Sequence, residues 1–539
     1  MAIFQDLLDS NIDHFRSQSA SYQVVIIITA LLLLSIIHHV AVQTVLPRDP
    51  SLPPVVFSWF PIIGSTATYG QNPPEFFRIN REKYGDMFTF LLLGRRITVY
   101  LGPKGNDFIL NGKLRDVNAE KIYGVLTTPV FGSDVVYDCP NAKLMEQKKF
   151  MKVALTTESF RSYVPIIAGE VNQYFNKILH GKAGILDVPE RMAELTIYTA
   201  SHSLQGHEVR KKLDSTLAVL YHELDLGLSP ANFLFHWAPL PWNRRRDRAQ
   251  RAISKIFEGV IQERRANGVY GVDPVSHLMR STYKDGTPVP DHEIAHMMIA
   301  LLMAGQHSSA STSAWALLRL AQNPAIVQRL YEEQVRELGG GDSSTELPPL
   351  QYEHLAKLPL HLGVVKETLR LHSPIHSIMR AVEQTLPVPG TKYVLPPTHT
   401  LMAAPGISAT DPTYFPKPSI WDPCRWLPGS ANAPTVSRGV SDEVSDEKVD
   451  YGYGLVSKGS GSPYLPFGAG RHRCIGEQFA NVQLQTIIAA IVRDFTLCNE
   501  GKMGNKIVDT DYASLLSKPL SPARIVWERR DVVRKASYS

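Results

Sequence analysis

The residues with the most chemical potential stand in one glycine-rich run, Pro466-Phe467-Gly468-Ala469-Gly470-Arg471-His472-Arg473-Cys474-Ile475-Gly476. Small residues ahead of the cysteine let the backbone turn tightly and approach a flat ligand. A helical pattern follows, so Cys474 stands at a helix N-terminus, where unpaired N–H groups and the helix dipole stabilise an anion. Arg471, Arg473 and a protonated His472 favour the same negative charge. Cys474 is therefore placed to be a thiolate, the form of cysteine that ligates metal. Taken alone, the segment reads equally well as a glycine-rich turn with an incidental buried cysteine.

Two other groups invite attention. Glu367 and Arg370, at i and i+3, share a helix face and can pair; alone they read as a surface ion pair. His307 and Ser308 lie within a long apolar helical pattern. An imidazole there can carry protons near neutral pH, although a lone histidine on such a face reads first as a satisfied core residue.

The elements that must hold these groups are mostly helical. The patterns predict helices over Pro73–Tyr84, Met145–Leu155, Phe160–Leu179, Arg248–Arg265, Asp291–Ala321, Pro324–Leu338 and Cys474–Phe495. The stretch Ile294–Met303 is apolar almost all round, which predicts a helix buried through the middle of the domain. Met87–Phe90 and Ile97–Leu101 read as a hairpin turning at Gly94-Arg95-Arg96, residues 386–403 as short strands, and 509–528 as a final strand pair. The fold class is mainly α with a small β part. Residues 429–463, rich in Gly, Ser, Asp and Glu, read as a surface insertion.

Composition narrows the functions. Among 539 residues, 44% are hydrophobic and 20% charged, a globular balance. A net charge of +5 without a basic stripe gives no nucleic-acid signature. The one dense cluster, Arg244, Arg245, Arg246 and Arg248, reads as a solvated helix start, or as a contact for anionic lipid or a partner. Four cysteines without CxxC spacing argue against a zinc site or a disulfide framework.

No Asp, Glu, Lys or Arg occurs between Ser17 and Pro47, and Val24–Leu46 is largely apolar. A helix over 22–46 reaches roughly 35 Å, enough to cross a bilayer core of about 30 Å. Residues 1–21 form a short segment ahead of it. The Lys/Arg excess after the span (Arg48, Arg78, Arg81, Lys83) places the following domain on the cytosolic side and residues 1–21 on the lumenal one. The proline-rich 47–64 is a stiff hinge, and 65–539 is one catalytic domain.

The cysteine loop resembles the heme loop of the cytochrome P450 family, FxxGxRxCxG, with Phe467, Gly470, His472 flanked by arginines, Cys474 and Gly476 in place. Glu367-Thr368-Leu369-Arg370 matches that family's ExxR motif, and Arg425 resembles the third member of its ion-pair network. The resemblance covers the chain after the hinge. It implies the P450 fold, heme b with Cys474 as the iron's thiolate ligand, dioxygen as co-substrate, and electrons from NADPH through a flavoprotein reductase.

Three segments narrow the resemblance to the fungal-type sterol 14α-demethylases: Tyr123–Lys149, Ala304-Gly305-Gln306-His307-Ser308-Ser309, and Leu371–Arg380. This resemblance implies that Tyr123, Tyr137, Lys148, Arg380 and His472 bind the heme propionates. It further implies that Tyr123, Phe131, Tyr137, Phe233, Ala304, Ser377, Ile378, Tyr512 and Leu515 line the substrate cavity. His307 stands where most P450 enzymes carry an acid, a feature of the sterol demethylases. Ser308 follows where threonine is commoner. Asp225 is implied as the ion-pair partner that keeps His307 charged. The implied activity is removal of the 14α-methyl of a lanosterol-like sterol by three oxidations with formate release, in ergosterol biosynthesis, with NADPH–cytochrome P450 reductase and cytochrome b5 as electron partners. The implied location is the endoplasmic reticulum membrane, with membrane lipid around the anchor. Two rivals stand beside it: another P450 activity, such as sterol side-chain desaturation or fatty acid hydroxylation, and a non-catalytic heme or sterol carrier.

Overall fold

A helix of 32 residues, Asp291–Gln322, runs through the centre of the protein. In this computed structural model residues 18–212, 215–268, 273–341, 346–435, 447–459, 461–501 and 507–530 are described. The central helix buries residues on every side, among them Ile294, Met298, Ile299, Leu302, Trp315 and Leu320. Full burial of each such side chain stabilises by roughly 1.5–3 kcal/mol. Helices Thr157–Ile178, Val188–Gln205 and Glu477–Asp494 complete the same core. Gln483 bolts three of them together: its Oε1 accepts from Ser309 Oγ at 2.7 Å and its Nε2 donates to Thr199 Oγ1 at 2.8 Å.

The β part is a five-stranded sheet in the order Met87–Leu92, Arg95–Tyr100, His399–Ala403, Ile378–Val382, Val117–Asn118. One pair, Arg95–Tyr100 with His399–Ala403, is parallel. The final strands differ from the sequence expectation. Thr510–Asp511 pairs with Lys518–Pro519, while Arg524–Arg529 joins Phe495–Asn499 and Ala183–Asp187 in a separate sheet. The partners of Arg524–Arg529 are remote in sequence, so local pattern could not name them.

The apolar N-terminal helix is Ala20–Thr44, none of it buried, with mean hydropathy 2.6 over its best window. It begins and ends two residues before the expected 22–46; residues 1–17 lie outside the described residues. Its last turns are tied to the hinge. Gln43 Nε2 donates to Ser58 O at 2.9 Å, Ser58 N donates to Gln43 Oε1 at 3.1 Å, and His39 Nε2 lies 3.0 Å from Ser58 Oγ.

One expectation is corrected in part. The arginine cluster does lie in the opening turns of a helix, Pro241–Asn267, which starts earlier than the expected Arg248 at a proline whose missing N–H costs nothing there. Arg246 is buried, donating to His236 O at 3.1 Å and Asn243 Oδ1 at 3.2 Å, while Arg244, Arg245 and Arg248 stay exposed. Of the 429–463 segment, 436–446 and 460 lie outside the described residues. The hairpin Lys448–Asp450 and Leu455–Ser457 keeps Lys448, Asp450 and Leu455 exposed and sends Tyr453 inward against Leu144 and Met145.

Candidate active site

The floor of the site is the cysteine loop. Gly470 has φ +67°, and a Cβ there would meet Leu110 O at 2.4 Å, so the loop turns where only glycine fits. Cys474 N donates to Phe467 O at 3.0 Å and closes the turn. The following helix begins at Glu477, with Gly476 as its cap, so Cys474 precedes it rather than opening it. The Cys474 side chain is accessible yet has protein on every side, so it borders an internal space. Burial pushes its thiol pKa up; the Gly476 N–H, Lys148 and Arg473 pull the other way, and Glu477 adds to burial. Ala304 is exposed midway along the largely buried central helix, so this stretch of the helix also borders a space.

The loop is held from behind by the ion-pair network. Arg370 donates Nε to Glu367 Oε2 at 2.9 Å and Nη2 to Oε1 at 2.8 Å; Arg425 Nε reaches Oε1 at 3.3 Å. All three side chains are fully buried. Trp426 Nε1 donates to Glu367 Oε2 at 3.1 Å, and its ring packs on Tyr464, whose hydroxyl donates to Lys366 O at 3.0 Å. The network therefore reaches the strand of chain that leads into the cysteine loop.

Beside the thiol the structure gathers Lys148, Arg380, Arg471 and His472. Lys148 Nζ donates to Arg471 O at 2.8 Å and Arg473 O at 3.1 Å; buried Arg380 donates to Met379 O at 2.7 Å. Among the described residues no carboxylate forms an ion pair with Lys148, Arg380 or Arg471. Burial lowers the Lys148 pKa to about 8, with the Cys474 charge opposing and Arg380 assisting. Burial, Arg380, Lys148 and Arg471 together hold His472 well below its usual value, so it is a neutral donor rather than the cation read from sequence. The rings of Tyr123 and Tyr137 stand 5.3 Å apart, and Tyr137 and His472 5.7 Å. Met379 N donates to Tyr123 Oη at 2.9 Å. Buried cations without a carboxylate are costly unless an anion joins them. This donor set fits the two propionates and the iron of a heme.

On the other wall, His307 Nε2 and Asp225 Oδ1 approach to 2.6 Å. Their alignment is poor for a hydrogen bond, and neither atom has another partner. Both line a cleft of about 1690 Å³ shared with His222, Gln306, Glu194 and Ser311; Cys474, Tyr123, Tyr137 and Lys148 do not line it. Ser308 Oγ donates to Ala304 O at 2.8 Å, so its proton is committed to its own helix and its oxygen is free only to accept.

The remaining sequence-predicted residues divide. Ile378 lies against Gly468 of the loop, 3.8 Å from where a Cβ would stand. Ser377 Oγ accepts from Tyr69 Oη at 3.1 Å and lies 2.8 Å from His376 Nδ1; the His376 ring meets Tyr512 at 5.6 Å. Phe131 packs on the main core, and the short helix Asn232–Phe235, with Phe233, packs on Glu120–Phe131. Leu515 is half-buried in the bend after Tyr512. Tyr69 and His376 were not singled out from sequence. Tyr69 sits 308 residues from Ser377, and no local pattern reports such a pair.

Helical body, small sheet and buried cysteine loop together define a heme-thiolate oxygenase. The cytochrome P450 family model matches residues 53–524, and this chain belongs to that family. Its members use a heme iron, dioxygen and reductase-derived electrons. Within it, the chain is 62% identical, over 98% of its length and 100% of the relative's, to a sterol 14-alpha demethylase (CYP51A) of Gibberella zeae. It is 57% identical, over 96% of its length and 98% of the relative's, to an eburicol 14-alpha-demethylase of Uncinula necator. It is 52% identical to a sterol 14-alpha demethylase of Aspergillus fumigatus, over 95% and 97%. The solved structure of a retinoic acid-bound cyanobacterial CYP120A1 shares the fold, with TM-score 0.73 and 18% identity over 89% of this chain and 100% of that one.

Proposed function

We propose that this chain is a sterol 14α-demethylase that removes the 14α-methyl of a lanosterol-like sterol in three successive oxidations, releasing formate, in ergosterol biosynthesis. The observation that carries this reading is its near end-to-end likeness to fungal proteins named for that reaction. We further propose heme b as the cofactor, NADPH as electron source through a flavoprotein reductase with cytochrome b5 as a second donor, and the endoplasmic reticulum as the site of anchoring.

When bound, the heme supplies oxygen activation, favoured by electron density from its thiolate. The chain supplies position and protons. Cys474 is the proposed ligand, shaped by a loop that only glycine can turn. Lys148, Arg380 and Arg471 supply uncompensated positive charge, and Tyr123, Tyr137 and His472 hydrogen-bond donors, for the propionates. Phe131, Phe233, Ala304, Ser377, Ile378, Tyr512 and Leu515, with Tyr69 and His376, are the proposed walls that orient the sterol, so that selectivity comes from fixed geometry. Tyr69, His376 and Ser377 hold one another and present few free polar atoms to an apolar guest. His307, with Asp225 behind it, faces a wide cleft and can draw protons from there toward the site. Ser308 can accept a proton-bearing group but must break its bond to Ala304 O to donate.

The test is reconstitution with a flavoprotein reductase and NADPH on a sterol labelled at the 14α-methyl. Labelled formate is expected. Turnover of NADPH with hydroxylation elsewhere and no formate overturns the demethylase reading.

A further inference from the structure

A shallow recess of about 480 Å³ opens at the end of the five-stranded sheet where the interior strands Arg95–Tyr100 and His399–Ala403 begin, outside the cleft that His307 lines. It is lined by Gly94, Arg95, Arg96, Lys121, Thr398 and His399. Arg96 and His399 are register partners in neighbouring parallel strands, so their side chains share one face. Arg95 and Arg96 are exposed, and among the described residues neither has an ion-pair partner. Lys121 is paired with Glu383 at 2.6 Å, which leaves the two arginines as the recess's uncompensated charge.

His399 makes the recess more than a charged patch. It is 3% exposed, its Nδ1 lies 2.8 Å from Thr98 Oγ1, and its Nε2 is buried with no partner. Thr98 Oγ1 also meets Thr89 Oγ1 at 2.9 Å; when Thr89 donates to Thr98 and Thr98 to Nδ1, Nε2 carries the proton and is a donor without an acceptor. A buried donor left unmade costs free energy that an anion's oxygen would recover.

The surroundings name the source of the anion. Gly94, at the hairpin tip, donates its N–H to Ile62 O at 2.7 Å. Ile62, Ile63, Trp59 and Phe60 are exposed apolar residues of the hinge. The neighbouring Ser58 is the residue bonded by Gln43 and His39 of the membrane-spanning helix. A bilayer entered by that helix meets the hinge residues and, one hydrogen bond away, the recess. Large apolar side chains beside exposed cations suit the boundary between acyl chains and headgroups.

We propose that Arg95, Arg96 and the unpartnered His399 Nε2 bind the phosphate of an anionic phospholipid headgroup, which holds this end of the catalytic domain's sheet against the membrane. Guanidinium groups recognise phosphate by paired N–H bonds, and each basic residue near an anionic surface adds measurably to attachment.

The test uses the full-length, heme-loaded protein in detergent micelles, titrated with phosphatidic acid or phosphatidylcholine and followed by native mass spectrometry. One phosphatidic acid is expected to be retained, with phosphatidylcholine far weaker. The Arg95→Gln/Arg96→Gln double variant is expected to weaken that retention roughly 30-fold. The exposed pair Lys104→Gln/Lys357→Gln, outside the recess and the arginine cluster, serves as a charge-matched control and is expected to change it little. Equal loss in both variants, or none in the first, overturns the proposal. A parallel titration with inorganic phosphate separates the sources: binding of free phosphate as tight as that of phosphatidic acid assigns the recess to a soluble anion and overturns the membrane assignment. Heme content and sterol-binding spectra of each variant confirm that the fold is intact.

Discussion

Glu367→Gln removes one charge and almost no volume from the network behind the cysteine loop. Glu367 accepts from Arg370 Nε and Nη2 at 2.9 and 2.8 Å, from Arg425 Nε at 3.3 Å, from Asp422 N at 3.0 Å and from Trp426 Nε1 at 3.1 Å. The glutamine leaves two guanidiniums at 0% side-chain exposure without a counter-charge, and turns an N–H₂ donor toward donors. Breaking a buried pair in this way costs about 3–5 kcal/mol. The comparison is Glu353→Gln, which breaks the ion pair with Arg161. That pair is shorter, 2.6 Å, but 54% and 60% exposed, so water screens it and it contributes little. At about 1.4 kcal/mol per tenfold, Glu367→Gln should lower the folded-to-unfolded ratio by roughly two to four orders of magnitude, and Glu353→Gln far less. Urea unfolding of the solubilised protein, followed by heme absorbance and by tryptophan fluorescence, reads both. If the two variants unfold at the same urea concentration, burial is not what sets the strength of these pairs and the reasoning fails.

Gly470→Ala forces a Cβ to within 2.4 Å of Leu110 O at φ +67°, so heme content should fall sharply. Gly429→Ala, at φ +74° with nothing within 4 Å, should cost only about 1–2 kcal/mol and keep its heme; equal heme content in the two would contradict the steric account. Asp225→Asn should leave sterol binding unchanged but lower formate released per NADPH about tenfold or more, since positioned proton transfer contributes at least that much; unchanged coupling would remove Asp225 from the proton path. Burial lowers the His376 pKa from 6.5 to about 4. Between those values the unfolded chain takes up the proton and the folded chain does not, so stability falls as pH drops through that window, by on the order of 3 kcal/mol. His376→Gln should flatten that part of the stability–pH curve, and an unaltered slope would refute the assignment.

Local spacing along the chain carries the chemistry and the order of parts. A cysteine after closely spaced glycines, an ExxR followed by a distant arginine, and a span without charge are all local, and local spacing survives folding. The long apolar run around Ile294–Met303 could only be a buried helix, and the Asp291–Gln322 helix is one. Tertiary structure decided what depends on residues far apart in the chain. Three neighbouring cations and burial make His472 a neutral donor. Asn243 and His236 draw Arg246 inward from a cluster that reads as solvated. Tyr69 meets Ser377 across 308 residues, and Arg96 meets His399 across a parallel strand pair. Spacing along a chain reports which side chains share a face of one element; only packing of elements sets the charge, solvent and partners that each side chain meets.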